Sequence, residues 1–319
     1  MNRPRFEDYD AAMAGTNTGP SEAPGSKVGR TTRAPITLFA IPKAFHGHLA
    51  IIQRNAIKSW CRLAPAIDVI LVGDDEGVAE IAAEFGLLHI PQVERNELGT
   101  PLINSAFDLA RAASESPVLV YCNSDVILLK EFPAAIEQLM DSELDQFVAF
   151  GRRTDLKIEH DLDFDAPDSE SRLRRWLAEE GRRSSVVCKE FFVFTRDLFQ
   201  GLPRFAVGRG NWDSWMVARA RDLDIPVVSF SERVPVIHQD HGYRQTSQLD
   251  RLNCYVFGRE AQENQRLARG RNLIRGSSAT WVLTEAGPRK KPFAGLNPDF
   301  WCDSSRFLTL VMDLLTNRR

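Results

Sequence analysis

From Ile36 to about residue 130 the chain alternates short apolar runs with segments of helical spacing, and this rhythm limits the fold more than any other feature. ITLFAIP (36–42), IDVILVGDD (67–75), LLHIP (87–91) and PVLVYCNSD (117–125) read as strands. Between them, HLAIIQRNAIKSWCRL carries Leu49, Ile52, Ala56 and Trp60 on one helical face, and EGVAEIAAEFG and PLINSAFDLARAAS read as further helices. Strands that are apolar nearly throughout, separated by helices, predict a mostly parallel sheet flanked by helices on both faces. In such a sheet ligands bind beyond the carboxyl ends of the strands. The polar strand ends, Pro42, Asp74–Asp75 and Asn123–Ser124–Asp125, are therefore the candidate site. Each taken alone also reads as a solvated turn or a helix cap; their shared edge is what sets them apart.

The rhythm breaks after about residue 150. One amphipathic helix is expected around Ser171–Glu180. A strand and turn follow over SVVCKEFFVFTRDLF, then a helix over NWDSWMVARARDLD and strands at IPVVSF and VPVIHQ. The expected organisation is a tail over 1–33, two halves of one domain over 34–130 and 131–257, and a basic extension over 258–319. Residues 1–33 are polar and rich in Gly, Pro and Ser, with too little apolar surface to offset the entropy of ordering, so a disordered tail is expected there. The chain of 319 residues is 43% hydrophobic, enough for a substantial core. A formal charge of -3 points to no nucleic-acid partner. The 5 cysteines are scattered without a CxxC pair, which argues against a zinc site or a disulfide framework and suits reduced thiols in a cytoplasmic protein. No run approaches the roughly 20 apolar residues of a membrane span.

VGDDEG (72–77), followed by ELGTPLINSAFDLARAASESPVLVYCNSDVILL (97–129), resembles the nucleotide-binding half of a GT-A fold glycosyltransferase, of family 2-like type. The resemblance implies a single GT-A-like α/β domain with a more irregular C-terminal half. It further implies a nucleotide-diphosphate sugar donor, an acceptor hydroxyl and a divalent cation, Mn²⁺ or Mg²⁺. Asp74 or Asp75 would contact the base. Gly99, Asn104 and Ala110 match the following helix loosely. The strand end Asn123–Ser124–Asp125 stands where the superfamily has Asp-x-Asp, with Asn in the first place. Asn123 would meet ribose through its amide, and Asp125 would ligate the metal as a hard oxygen donor. In VPVIHQDHGYR, His241 is the favoured further metal ligand and His238 the alternative.

Three more stretches carry candidates. In GRGNWDSWM, Asn211 or Asp213 caps the coming helix, or Trp212 or Trp215 offers a face to sugar while Asp213 meets the acceptor hydroxyl. In CKEFFVF, Lys189 meets phosphate and Glu190 sugar hydroxyls, or both are solvated charges on an edge strand. The basic stretch 258–291 is a solvated helix, a cover for the diphosphate, or a contact for an anionic acceptor. Two other functions remain in play: a sugar-phosphate nucleotidyltransferase, whose Gly-rich basic loop FAIPKAFHGH does not resemble, and a non-catalytic nucleotide-sugar-binding protein.

Overall fold

Among the described residues, nine strands join in one sheet in the order β13 (Gly287–Lys290), β12 (Trp281–Thr284), β10 (Val227–Ser229), β6 (Val148–Phe150), β9 (Phe191–Thr195), β4 (Val118–Cys122), β1 (Ile36–Ala40), β2 (Ile67–Val72), β3 (Leu88–Ile90). The structure is a computed structural model that describes residues 34–184, 188–241, 256–268 and 279–292. The tail expected over 1–33 lies outside these residues, as do Arg269, Arg271 and Arg275 of the basic stretch and all of 293–319.

The alternation predicted for the first half is present. Strand β1 (Ile36–Ala40) is wholly buried between β2 (Ile67–Val72) and β4 (Val118–Cys122), parallel to both, and β3 (Leu88–Ile90) continues the parallel set beyond β2. Successive strand residues face opposite sides, so two cores form. Ile36, Leu38, Val118 and Val120 pack under helices α1 (Gly47–Cys61), α2 (Val78–Glu84) and α4 (Glu131–Met140). Phe39, Ile70, Leu119 and Tyr121 pack on the other side, against α3 (Ile103–Ala112) and α6 (Trp212–Asp222). The spacing of Ile103, Ala106, Phe107 and Ala110 gives α3 the single apolar face this layering needs.

The second half departs from a simple parallel continuation. Strand β9 (Phe191–Thr195), expected as a possible edge, is central: it runs antiparallel between β4 and β6 (Val148–Phe150). Strands β10 (Val227–Ser229) and β12 (Trp281–Thr284) restore the parallel direction, and β13 (Gly287–Lys290) closes the edge as an antiparallel hairpin. The basic stretch is therefore more than one solvated helix. It begins with α7 (Arg259–Leu267) and ends in strands of the main sheet.

A second sheet, β5-β11-β7-β8, sits beside the end of β4. It comprises β5 (Val126–Ile127), β7 (Thr154–Leu156), β8 (Arg182–Arg183) and β11 (Ile237–Gln239). The chain crosses from the main sheet into this one at Gly151, between β6 and β7. A Cβ there would lie 2.8 Å from Val236 Cγ2 and 3.1 Å from the Phe191 ring, so only glycine fits. A small apolar cluster of Ile127, Leu156 and Ile237 fixes this sheet against α5 (Ser169–Glu180), the helix expected around Ser171–Glu180. Among the described residues, no helix is long and apolar enough to cross a membrane, and Cys61, Cys122 and Cys188 are free thiols.

Candidate functional site

Strand β4 ends at Cys122, and the next residues are pinned from three sides. The backbone N–H of Asn123 donates to Glu190 O at 2.8 Å, extending the β4–β9 ladder by one step. Beyond it, the Trp60 indole N–H donates to Val126 O at 2.9 Å, and the Gln239 backbone and side-chain amides donate to Asp125 O at 3.1 and 3.2 Å. Gln239 is itself fully buried and gripped by Asn55 at 3.0 Å. The backbone that presents Asp125 is thus held by groups on α1 and β11 that do not touch the carboxylate.

Asp125, His238 and His241 converge, with one ligand atom from each lying within 4.8 Å of the others. His241 Nε2 is 2.8 Å and His238 Nε2 3.6 Å from Asp125 Oδ2. The other carboxylate oxygen, Asp125 Oδ1, is buried without a hydrogen-bond partner among the described residues. A buried carboxylate oxygen is costly to leave unsatisfied, so this atom marks a place for a cation. One carboxylate and two imidazoles suit Mn²⁺ and also Mg²⁺ completed by phosphate and water oxygens. The residues present fit the metal that the resemblance implies.

The electrostatics of the cluster are dominated by mutual pairing. Burial pushes the Asp125 carboxyl up, but His238 and His241 outweigh it and hold it well below the usual carboxylate range. Burial pushes His238 down, but Asp125 and Asp155 outweigh it and raise the imidazole to about 10. In metal-free protein the two groups therefore favour the fold over different pH ranges. The Asp125 contribution is present above its ordinary 3.8 and is lost as pH falls through its depressed value. That of His238 is complete below its ordinary 6.5 and is lost as pH rises through about 10. The melting temperature in EDTA should peak between these ordinary values and fall toward alkaline pH. His238→Gln should remove the part of the alkaline fall that belongs to this residue; an identical alkaline limb in the variant would deny His238 that raised value.

Asn123 is engaged on both sides of its amide. Tyr121 O–H donates to its Oδ1 at 3.0 Å, and its Nδ2 donates to Glu190 Oε2 at 2.6 Å. Glu190 is not a solvated edge charge: it is 5% exposed and also pairs with Arg153. Ser124 Oγ donates to Gln53 Oε1 at 3.0 Å, and Gln53 exchanges hydrogen bonds with both backbone groups of Lys43, so the segment after buried Pro42 is tied to the end of β4.

Asp74 and Asp75 form a separate cluster with Arg95. Arg95 Nη2 lies 2.6 Å from Asp74 and 2.8 Å from Asp75, while its Nη1 donates to Gly99 O at 2.8 Å. The Arg95 hydrogen bond holds Asp74 below the ordinary carboxylate range. Beside them opens a cavity of about 590 Å³, lined by Asp74, Val93, Arg95, Ser105 and Leu109 among others.

The acceptor-side candidates divide. Trp212 and Trp215 are 6% and 7% exposed, and the Trp212 ring packs on Tyr121 and Phe192 with centroids 5.2 and 5.7 Å apart. These indoles are core residues, where the sequence suggested a face open to sugar. The Lys189 side chain is fully buried, with Nζ 3.5 Å from Asp213 Oδ2 and 5.7 Å from the Phe150 ring centroid, a setting unlike the phosphate contact expected of it. Asp213 Oδ1 accepts the Ser214 backbone N–H at 2.7 Å in the first turn of α6. Asn211 holds the N-cap place with φ 79° and makes no side-chain cap bond. Three residues of the site, Gln53, Arg95 and Asp155, carry no signal in the sequence beyond being polar.

No family model matches the sequence, and no curated protein matches it. Among solved structures, the chain is similar to glucosyl-3-phosphoglycerate synthase from Mycobacterium tuberculosis in complex with Mn²⁺, uridine diphosphate and phosphoglyceric acid. The identity is 16% over 77% of this chain and 84% of that one, with a TM-score of 0.44. The same enzyme with Mg²⁺ and uridine diphosphate gives 16% identity over 78% and 86%, with a TM-score of 0.45. A candidate nucleotide-diphospho-sugar transferase from Desulfovibrio desulfuricans G20 gives 13% identity over 75% and 99%, with a TM-score of 0.39.

Proposed function

We propose that the protein is a metal-dependent glycosyltransferase of GT-A type. It binds a nucleotide-diphosphate sugar at the carboxyl edge of the parallel strands and moves the sugar to an acceptor hydroxyl. The observation that carries this reading is the convergence of Asp125, His238 and His241 at the end of β4, with Asp125 Oδ1 buried and unpartnered. These three residues would hold Mn²⁺ or Mg²⁺, which when bound supplies the positive charge that stabilises a departing nucleoside diphosphate.

The chain's own groups do the rest. Asp74 and Asp75, with Arg95 between them, face the nucleoside end, beside the 590 Å³ cavity. Asn123 and Ser124 directly precede Asp125 at the end of β4. Their hydrogen bonds to Glu190 and Gln53 fix them before a ligand arrives, which lowers the cost of ordering them on binding. Asp213 is the group proposed to orient the acceptor hydroxyl and receive its proton.

A thermal-shift screen of nucleoside diphosphates and their sugars, with Mn²⁺ and with EDTA, tests the reading. At a hundredfold excess over the dissociation constant, stabilisation of about 2.7 kcal/mol is expected with the ion. Equal stabilisation in EDTA would defeat the metal-bridge reading. A second reading, a nucleotide-sugar binder without transfer, draws on the Lys189–Asp213 pair, which gives Asp213 a structural use. Hydrolysis of a radiolabelled donor in the absence of acceptor separates the two, because a binder shows none.

A further inference from the structure

We propose that Asp155 is a positioning residue of the metal centre, the outer partner that turns His238 Nε2 toward the ion. The inference rests on the metal reading of Asp125, His238 and His241. An imidazole that ligates through Nε2 must carry its proton on Nδ1, and the partner of that N–H sets both tautomer and ring angle. Here the partner is Asp155 Oδ1, 2.8 Å from His238 Nδ1. The sheet makes this contact unavoidable. Strands β7 and β11 are parallel with His238 directly opposite Asp155, so both side chains leave the same face. The His238 side chain is 3% exposed, which leaves the ring little freedom once its Nδ1 is engaged.

Asp155 is itself held. Arg153, two residues earlier, forms an ion pair with it, Nε lying 2.9 Å from Asp155 Oδ1 without hydrogen-bond alignment, and pairs at its other end with Glu190. Glu190 in turn accepts the amide of Asn123. A continuous polar chain therefore runs from the ligand His238 through Asp155, Arg153 and Glu190 to the residue in the first place of the strand-end motif. His241 has a different support. It lies two residues past Gln239, where β11 ends. The direction of His238 is built into the sheet by its place opposite Asp155.

Outer partners of this kind typically change metal affinity by about 10–100-fold. The test is an electron-paramagnetic-resonance titration of the full chain with Mn²⁺, comparing wild type, Asp155→Asn, Asp155→Ala and Asp125→Ala, with melting temperatures alongside. Asp155→Asn keeps an oxygen for Nδ1–H but removes the charge, so it should fold and bind Mn²⁺ about tenfold more weakly with an altered bound-ion signal. Asp155→Ala should bind more weakly still; if it fails to fold, Asp155→Asn carries the test. Asp125→Ala should abolish the bound signal. Binding by Asp125→Ala equal to wild type would overturn the metal reading and this inference with it. Loss in Asp125→Ala together with wild-type affinity and spectrum in the Asp155 variants would overturn the inference alone. A purely structural Asp155 would give that second result, with a lowered melting temperature and an unchanged ion signal.

Discussion

Asp125→Ala should abolish the divalent-dependent part of nucleoside-diphosphate binding while leaving a folded protein. The first half of that expectation follows from the Oδ1 without a partner among the described residues and the two imidazoles on Oδ2: without the carboxylate, the cluster keeps its two imidazoles and loses its one carboxylate among the described residues. The stabilisation of about 2.7 kcal/mol expected at a hundredfold ligand excess should vanish. The second half follows from the backbone. Trp60 and Gln239 hold Val126 O and Asp125 O, not the side chain, so the strand end keeps its path. Breaking a buried ion pair typically costs about 3–5 kcal/mol. Here the cost should be smaller, because His238 keeps Asp155 as a partner. His241→Ala should weaken the metal response without abolishing it, since His238 and Asp125 remain. A wild-type thermal shift in Asp125→Ala, with the ion present, would remove Asp125 from the site.

The parts of this site that could be read in the sequence are those where local pattern and chemistry coincide. The run Val118–Cys122 is apolar on both faces and then stops at Asn-Ser-Asp, as a buried strand reaching a polar edge does. His238 and His241 fall just past an apolar run, so their return to a sheet edge was legible too. The sequence left them as alternatives, whereas the structure brings both to Asp125. What could not be read depends on pairings distant along the chain. Asp155 meets His238 across 83 positions, and only the register of β7 on β11 makes them neighbours. Glu190 reaches Asn123 because β9 runs antiparallel beside β4, and an apolar run carries no mark of its direction. Trp212 illustrates the limit from the other side. An aromatic residue at a helix start reads the same whether it meets a ligand or the core, and here Tyr121 and Phe192 decide it.

Asp213→Asn should separate proton transfer from donor binding. If Asp213 receives the acceptor proton, the amide cannot replace it, and general-base assistance is typically worth about 10²–10⁴-fold in rate. Donor affinity should stay near wild type, because the donor-side groups Asp125, Asn123 and Ser124 are held by other partners. The substitution is not silent for stability. Asn would keep the bond from the Ser214 N–H, but it would turn a neutral amide toward the ammonium of buried Lys189, now 3.5 Å from a carboxylate. A hydrogen bond to a charged group contributes about 1.5–3 kcal/mol, and the loss should lie toward the lower end because the Asp213 side chain is partly exposed. Melting temperature and single-turnover transfer must therefore be measured on the same preparation, at a temperature where the variant is folded. A large fall in transfer with intact donor binding assigns Asp213 to the chemistry. Full-rate transfer with a lowered melting temperature assigns it to Lys189 and the first turn of α6. Glu190 would not then inherit the role, since both of its oxygens are already committed, one to Arg153 and one to Asn123.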